Sequence, residues 1–436
     1  MESEYGFQKN KIKTDRQSVC KGGFDMNSYK SGFKKFLFLW LGELISSIGG
    51  GLTSFGLAVY VFNQTGSAAS MALVSLLAFL PTLILSVPAG VLADRYDRRT
   101  LMMIGDGLSG IGVLYILLCM FKGQATLVQI CIGVSISSIF SALLEPSYRA
   151  TVTDILTKEE YSKASGMVSL AGSARYLISP MLAGTLLAVS DIKLLLVIDI
   201  FTFLITVIVT GIVKRRIDIQ RTIIQETFLS SFNEGWKTIT AKRGIIVLII
   251  VSGIMTCFMG IFQILAEPMV LDFSDSATLG IMETICATGM LVSSLILGVK
   301  GLKKGYVKTL SISLAFAGIT MAMFGVKQNI YVMCVTGFLF FATLPFANNC
   351  LDYLTRINIP DEKQGRAWGL IGFLSQLGYV VAYGLSGIMA DGISASMKIS
   401  VGRGSAYVVI FSGVLLCFTS IILLFLSSVR ELEKED

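Results

Sequence analysis

Twelve apolar runs of about 20 residues, each long enough to cross a hydrocarbon core as a helix, constrain this chain more than any other feature. They lie near 36–61, 70–92, 100–121, 125–148, 165–189, 194–213, 244–271, 277–299, 308–326, 330–355, 366–389 and 404–428 of the 436 residues. No barrel-type alternation runs through them, so the spans are predicted to be helices, whose backbone hydrogen bonds close internally. With 53% hydrophobic residues, 15% charged residues and a mean hydropathy of +0.73, a soluble core of ordinary design is excluded. The expected fold class is an all-α polytopic membrane protein.

Basic residues orient the spans. Of the 36 Lys and Arg, 30 fall on the N-terminal side of the membrane, five fall in the opposite loops, and Arg175 lies within a span. Both termini are therefore expected in the cytosol. The net charge of +7 is this one-sided bias and is not read as a nucleic-acid surface. Residues 1–34 are polar and lysine-rich, without an apolar signal core, and are expected to be a disordered cytosolic tail.

Cysteine and histidine remove several chemistries. The eight Cys sit mostly mid-helix and never as Cys-x-x-Cys, which fits burial as small hydrophobes. The absence of His removes Ser-His-Asp catalysis, histidine zinc sites and a histidine proton relay. There is no glycine-rich phosphate loop. No cofactor and no metal are expected, and a proton gradient handled by carboxylates is the expected energy source. No reactive constellation sits at one depth, so no enzyme activity is expected, and the tails are too short for a sensor's output domain.

The connection after the second span, Gly90-Val-Leu-Ala-Asp94-Arg95-Tyr-Asp97-Arg98-Arg99, flanks Asp94 with three bases within a turn or two of lipid. Charges so placed must stay in water or pair closely, because isolated charge in hydrocarbon is costly. The hairpin is read as a charged latch on one face of a moving protein.

The long basic connection 214–243 divides the spans six and six. Ile224, Phe228, Phe232 and Ile239 recur there at helical spacing beside Trp236, which predicts an amphipathic helix on the inner leaflet. The expected parts are a bundle at 35–213, this linker, a second bundle at 244–429 and a tail at 430–436. The halves also repeat. With an offset of 203, Lys163 meets Arg366, Gly166 meets Gly369, Tyr176 meets Tyr379, Ala183 meets Ser386 and Gly184 meets Gly387. Parallel six-helix repeats imply a pseudo-two-fold axis along the membrane normal, with a binding site between the bundles.

On these residues the chain resembles the major facilitator superfamily. That family's signature between helices 2 and 3 is G-x-L-A-D-R-x-G-R-R, and here only Asp97 departs, standing where glycine is usual. The resemblance implies that Asp94 holds the start of helix 11, near Arg366, in the outward-facing state; the equivalent connection in the second half kept Lys303 and Lys304 but has no acid. Gly166, Ser179, Pro180, Ala183 and Gly184 in segment 5 are similar to the glycine-rich, proline-containing helix 5 of the family's antiporters. Ser137 stands where drug exporters of the family often carry an intramembrane arginine. Asn63-Gln-Thr-Gly-Ser-Ala, Glu145-Pro146 and Gly365-Arg366 look like the macrolide-efflux and enterobactin-exporter branch.

Glu43 shares a weakly polar face of segment 1 with Ser47, Gly50 and Ser54, and is the first candidate to exchange a proton with an aqueous cavity. Glu267 and Glu283, in segments 7 and 8, are further coupling candidates. Asp106 and Asp199 are read as structural acids. Arg175 needs an anionic partner, for which Glu43 is the candidate. Ser47, Arg175, Tyr176, Gln263, Gln376, Tyr379 and Tyr383 are expected along the substrate path, where aromatic rings and few charges suit a bulky amphiphile. The cytosolic gate is assigned to Gly90, Asp94, Arg95, Arg98, Arg99, Glu145, Arg149, Asp352, Arg356 and Arg366. The expected protein is a monomeric plasma-membrane exporter of amphiphilic drugs, macrolide-like compounds among them, working by alternating access as a proton antiporter. A siderophore or metabolite exporter, and an uptake symporter or facilitator, remain alternatives.

Overall fold

The computed structural model describes residues 26–157, 160–214, 228–302, 304–360 and 363–433, and among them there are helices and no strands. The first half contains α1 (Met26–Thr65), α2 (Ala68–Arg95), α3 (Arg98–Phe121), α4 (Leu127–Ser141), α5 (Leu144–Ile155), α6 (Tyr161–Leu177), α7 (Ser179–Val189) and α8 (Ile192–Lys214). After α9 (Phe228–Thr240) come α10 (Arg243–Leu271), α11 (Ser276–Lys300), α12 (Tyr306–Val326), α13 (Ile330–Ile357), α14 (Gln364–Met397), α15 (Val401–Phe425) and the short α16 (Ser427–Leu432).

Eleven spans are continuous helical stretches long and apolar enough to cross a membrane, with α4 and α5 forming one of them, Leu127–Ile155. The twelfth segment is divided between α6 and α7, neither long enough to cross alone. Pro180 sits in the first turn of α7, and the ladder persists across the joint: the Ile178 amide donates to Ala174 and the Leu182 amide to Ile178. The segment therefore bends without losing its path across the membrane. The break between α4 and α5 has a proline cause too, because Pro146 lacks the amide that would bond back toward Ala142.

All six loops opposite the basic face are short and place a side-chain cap on the following helix. Ser67, Thr126, Asp275, Asn329 and Ser400 accept from first-turn amides of α2, α4, α11, α13 and α15. Asp191 accepts from the Lys193 amide at the start of α8. Each cap satisfies amides that neither helix nor lipid can.

Packing repeats between the halves. α1 lies against α6 and α7, α2 against α4, and α3 against α8; correspondingly α10 lies against α14, α11 against α13, and α12 against α15. Between the bundles, α7 meets α11 and α14 meets α2, a second symmetric pair. The internal repeat is thus visible in packing. The second bundle is held by an aromatic nest, with Phe262 stacked on Phe340 at 4.5 Å and tilted against Phe324 at 4.6 Å.

Helix α1 begins at Met26, ten residues before the predicted segment, and α14 runs to Met397, eight beyond the predicted end. Residues 1–25 and 215–227, including Ile224 of the predicted stripe, lie outside the described residues, as does Lys303. In α9, Ile239 is buried against Ile245, Ile359, Ala367, Leu370 and Ile371, while Trp236 is exposed.

Candidate functional site: a crevice between two bundles

The bundles are closest at the face opposite the basic one. Gly387 of α14 lies against the first turn of α2, where a Cβ would meet Ala68 and Ala69. Gly280 of α11 leaves similarly no room beside the Pro180 carbonyl, and Gly184 faces Ser276 and Ala277 at the start of α11. Gly184 and Gly387 are repeat equivalents, so each bundle presses its own glycine onto the first turn of the other's helix. Asp391 adds a polar clasp on one side. It accepts from Ser67 Oγ at 2.6 Å and from the Ala68 and Ala69 amides at 3.0 Å each. Its repeat equivalent, Ala188, has nothing to offer. Toward the basic face, Cβ atoms on Gly90, Gly166, Gly369 and Gly372 would meet nothing. The close glycine contacts between the bundles thus gather at the far face, and the crevice is read as opening toward the basic one.

Aromatic rings meet between the bundles. Phe79 of α2 lies edge-on to Tyr379 at 5.5 Å and to Tyr383 at 5.8 Å. The Tyr379 hydroxyl donates to Met259 Sδ at 3.2 Å, and Tyr176 and Arg175 on α6 lie within electrostatic reach of Tyr383. The structure thus brings together Arg175, Tyr176, Tyr379 and Tyr383 of the predicted substrate path. Phe79 was missed; one phenylalanine in an unbroken apolar run carries no local signal. Ser47, Gln263 and Gln376 lie on α1, α10 and α14 without a side-chain hydrogen bond to this cluster among the described residues, Gln376 being exposed.

Arg175 donates to Ser54 Oγ at 2.7 Å, and the carboxylate its charge bears on is Asp199. The expected pairing with Glu43 is therefore corrected: Ser54 lies three turns along α1 from Glu43, beyond a side chain's reach. Asp199 is buried, accepts from Thr202 at 3.3 Å, and faces Gly49. Glu43 lies instead within electrostatic reach of Asp106, Tyr148 and Glu145, the last of these paired with Arg149. The Tyr148 hydroxyl is buried with no hydrogen-bond partner among the described residues. In the second bundle Glu267 neighbours Glu283, and Glu267 Oε2 is likewise buried without a partner.

In segment 5 the small residues do what their size suggests. Ser179 is fully buried, donates to the Ile48 carbonyl at 3.0 Å and sits against Gly51 of α1; Pro180, Ala183 and Gly184 are buried as well. Gly166 is the exception and borders open space.

At the basic face the hairpin is organised by Asp154, which sequence reasoning missed. Arg98 donates to Asp154 Oδ1 at 2.6 Å and to the Ala150 carbonyl at 2.8 Å, and buried Arg99 lies 3.9 Å from Asp154 Oδ2. Asp94 is left outside this pair: it is 78% exposed and 3.6 Å from Arg98. Asp97, the departure from the family signature, caps α3 through the Arg99 and Thr100 amides at 2.8 and 3.1 Å. Burial opposes its ionisation, but those two amides and the charges of Arg99 and Lys214 outweigh burial and hold the carboxyl below its ordinary value.

The remaining gate candidates are dispersed. Arg95 is exposed. Glu145 and Arg149 pair with each other at 2.8 Å in the open. Asp352 and Arg356 lie a turn apart on α13, and Arg356 sits over the Trp368 ring at 5.9 Å. The Arg366 side chain is outside the described residues. Among the described residues no cluster of His, Cys, Asp and Glu could hold a metal.

Comparison with known proteins agrees with this architecture. The chain is 24% identical over 416 residues to macrolide efflux protein A of Streptococcus pyogenes, covering 94% of this chain and all of that one. It is 26% identical over 157 residues to the enterobactin exporter EntS of Citrobacter koseri, covering 36% and 38%. Among solved structures, a bacterial homologue of the iron transporter ferroportin in its inward-facing state matches with a TM-score of 0.69 at 14% identity, covering 89% and 99%. An outward-facing structure of such a homologue matches at 0.57 and 16% identity, covering 89% and 99%. The family model described as Major Facilitator Superfamily matches residues 39–280 and 253–436. With its repeated six-helix bundles and the crevice between them, the chain belongs to the Major Facilitator Superfamily of membrane transporters.

Proposed function

We propose that this transporter exports amphiphilic organic compounds, macrolide-like drugs among them, across the plasma membrane in exchange for protons. The observation that carries the reading is the ring cluster of Phe79, Tyr379 and Tyr383 between the bundles, with Tyr176 and Arg175 beside it. Flat apolar surface with a few hydroxyls suits a large, weakly polar substrate better than a small ion. The similarity to a macrolide efflux protein along nearly the whole chain supports the same class.

The basic face is taken as cytosolic, in keeping with the bias of Lys and Arg. Substrate then enters from the cytosol, where the crevice is open, and leaves after the Asp391 clasp and the Gly280 and Gly387 contacts part. Glu43 is the proposed proton carrier. It lies within electrostatic reach of Asp106 and Glu145, and Tyr148 nearby offers a hydroxyl with no hydrogen-bond partner among the described residues. Protonation there changes the relative stability of the two crevice states, which is what coupling requires. Glu267 and Glu283 form a second carboxylate pair. Energy comes from the proton gradient with no cofactor, and the protein acts as a monomer, where a gain of drug resistance follows from export.

Inside-out vesicles test this directly. An imposed inward-acid gradient should drive accumulation of labelled erythromycin, and Glu43→Gln should lower it at least tenfold at unchanged protein level. Accumulation that ignores the gradient, or survives in Glu43→Gln, removes the coupling scheme; no macrolide movement at all removes the substrate class.

A further inference from the structure

Asp106 of α3 and Asp199 of α8 are 2% and 1% exposed, and among the described residues neither forms an ion pair. Asp199 accepts from Thr202 Oγ at 3.3 Å, with Thr53 of α1 facing the same carboxyl. Asp106 has Glu43 and Asp199 within electrostatic reach, and Asp199 has Arg175. A carboxyl buried without a cation keeps its proton unless neighbours compensate the charge. The acids read from sequence as structural thus converge on Glu43 from two other helices.

Helix α1 sets their order. Gly49, where a Cβ would meet Asp199 Oδ1, lies about 9 Å along the axis from Glu43, and Ser54, which takes the Arg175 guanidinium, lies about 7 Å further. At the basic end, Tyr148 is within electrostatic reach of Glu43 and is 4% exposed, its hydroxyl unpartnered among the described residues. At the other end Arg175 is exposed and within reach of Tyr383. The surrounding bases are engaged elsewhere: Arg98 and Arg99 on Asp154, Arg149 on Glu145, Lys214 on Thr100 and Lys193 on Asp191. Helix α4, which also packs on α3, and α7, which also packs on α8, carry no charged side chain.

We propose that Asp106 and Asp199 act with Glu43 as one proton-sharing group, a path through the first bundle from Arg175 at the crevice to Tyr148 near the basic face. The path rests on the reading of proton-driven export and adds the route the proton takes. Asp106 is the middle member, since both other acids are within its reach. At each step an O–H bond breaks on the donating carboxyl and one forms on the acceptor, so the charge moves and its total stays the same. The Tyr148 hydroxyl can both accept and donate at the exit. All four side chains belong to one bundle, so the path stays assembled while the bundles move, apart from the substrate. Arg175 joins the two: ionised Asp199 draws its charge, and neutral Asp199 leaves that charge to the crevice.

Infrared difference spectra between acid and alkaline buffer, recorded on the full-length protein in lipid, test the path, because a protonated carboxyl has a C=O stretch that a carboxylate lacks. Bands are assigned by their loss in Glu43→Gln, Asp106→Asn and Asp199→Asn. The expected result is a pH-dependent band from each acid, with the Glu43 and Asp199 bands moved by about one pH unit in Asp106→Asn and restored in Asp106→Glu. Absence of a pH-dependent band from Asp106 or Asp199 overturns the proposal. So do Glu43 and Asp199 bands that stay in place in Asp106→Asn, which marks isolated acids. Asp199→Asn, read on the Asp106 band, gives the same test if thermal melting shows that Asp106→Asn does not fold. No substrate is present, so this outcome is separate from the vesicle assay: accumulation that ignores the gradient removes the coupling scheme, whereas unshared acids remove the path and leave coupling through Glu43 alone.

Discussion

Asp391 and Ser67 hold the two bundles together from opposite halves of the chain: the Ser67 hydroxyl donates to Asp391 at 2.6 Å, and the same carboxylate takes the Ala68 and Ala69 amides. A carboxylate on a helix's first amides gains from both hydrogen bonding and the dipole. Asp391 acts on the first turn of α2, and Asp94, which the family resemblance assigns to a cytosolic clasp, stands at the opposite end of the same helix.

Asp391→Ala should loosen the closed face by about 1–2 kcal/mol, a shift of roughly five- to thirty-fold toward the outward-open state. Cysteine reactivity near the outer end of α14, measured in right-side-out vesicles on a cysteine-free background, should rise accordingly. Unchanged reactivity would leave the clasp without a role in the equilibrium.

Gly387→Leu should act on the same equilibrium by sterics. A branched side chain there collides with the backbone at Ala68 and Ala69, so the closed contact cannot form. Substrate transport should fall more than tenfold while the protein still reaches the membrane. Wild-type transport would mean that this contact is not part of the cycle.

The basic-face ion pairs should separate clearly by burial. Asp154→Ala leaves buried Arg99 without its Asp154 partner and Arg98 with only the exposed Asp94, and should cost about 3 kcal/mol, lowering the melting temperature by several degrees. Arg149→Ala breaks an exposed pair and should cost less than about 1 kcal/mol. Thermal unfolding of the detergent-solubilised protein compares the two; equal effects would contradict the assignment of Asp154 as the organising acid.

Asp97 links one cap to pH. Its carboxyl is held below the ordinary 3.8, so the charged cap favours the folded protein above that pH, and the benefit disappears as pH falls through the lower folded value. Asp97→Asn keeps a capping oxygen and should lie within about 1 kcal/mol of wild type at neutral pH. The stability difference between the two should shrink below about pH 4, as the aspartate protonates. A difference that stays constant down to pH 2 would deny that Asp97 is charged in the folded state.

Much of this was legible in the sequence for a physical reason: a membrane span must carry about 20 apolar residues, so the twelve segments announce themselves. The crevice partners on α6 and α14 were legible because Tyr176 and Tyr379 sit at equivalent places in the repeat. Asp391 was not. The stretch from Asp391 to Met397 is polar enough to pass for a loop, and the helix was ended at 389; that α14 continues is decided by its packing on α2, which no local pattern records. Asp154 was hidden differently. It lies beyond the Pro146 break, and only the folded connection turns it back toward Arg98. The supposed Glu43–Arg175 pair failed because charge alone was matched, without the distance along α1 that separates Glu43 from Ser54.

The account stands on a crevice that closes at one face as it opens at the other. Spin labels on a cysteine-free background, at Arg95 with Lys363 on the basic face and at Thr65 with Lys398 on the opposite face, measure both ends in lipid nanodiscs. The expected resting state has a long basic-face distance and a short opposite one, and macrolide with a pH change should exchange the two. A single pair of distances, unmoved by substrate or pH, would contradict it.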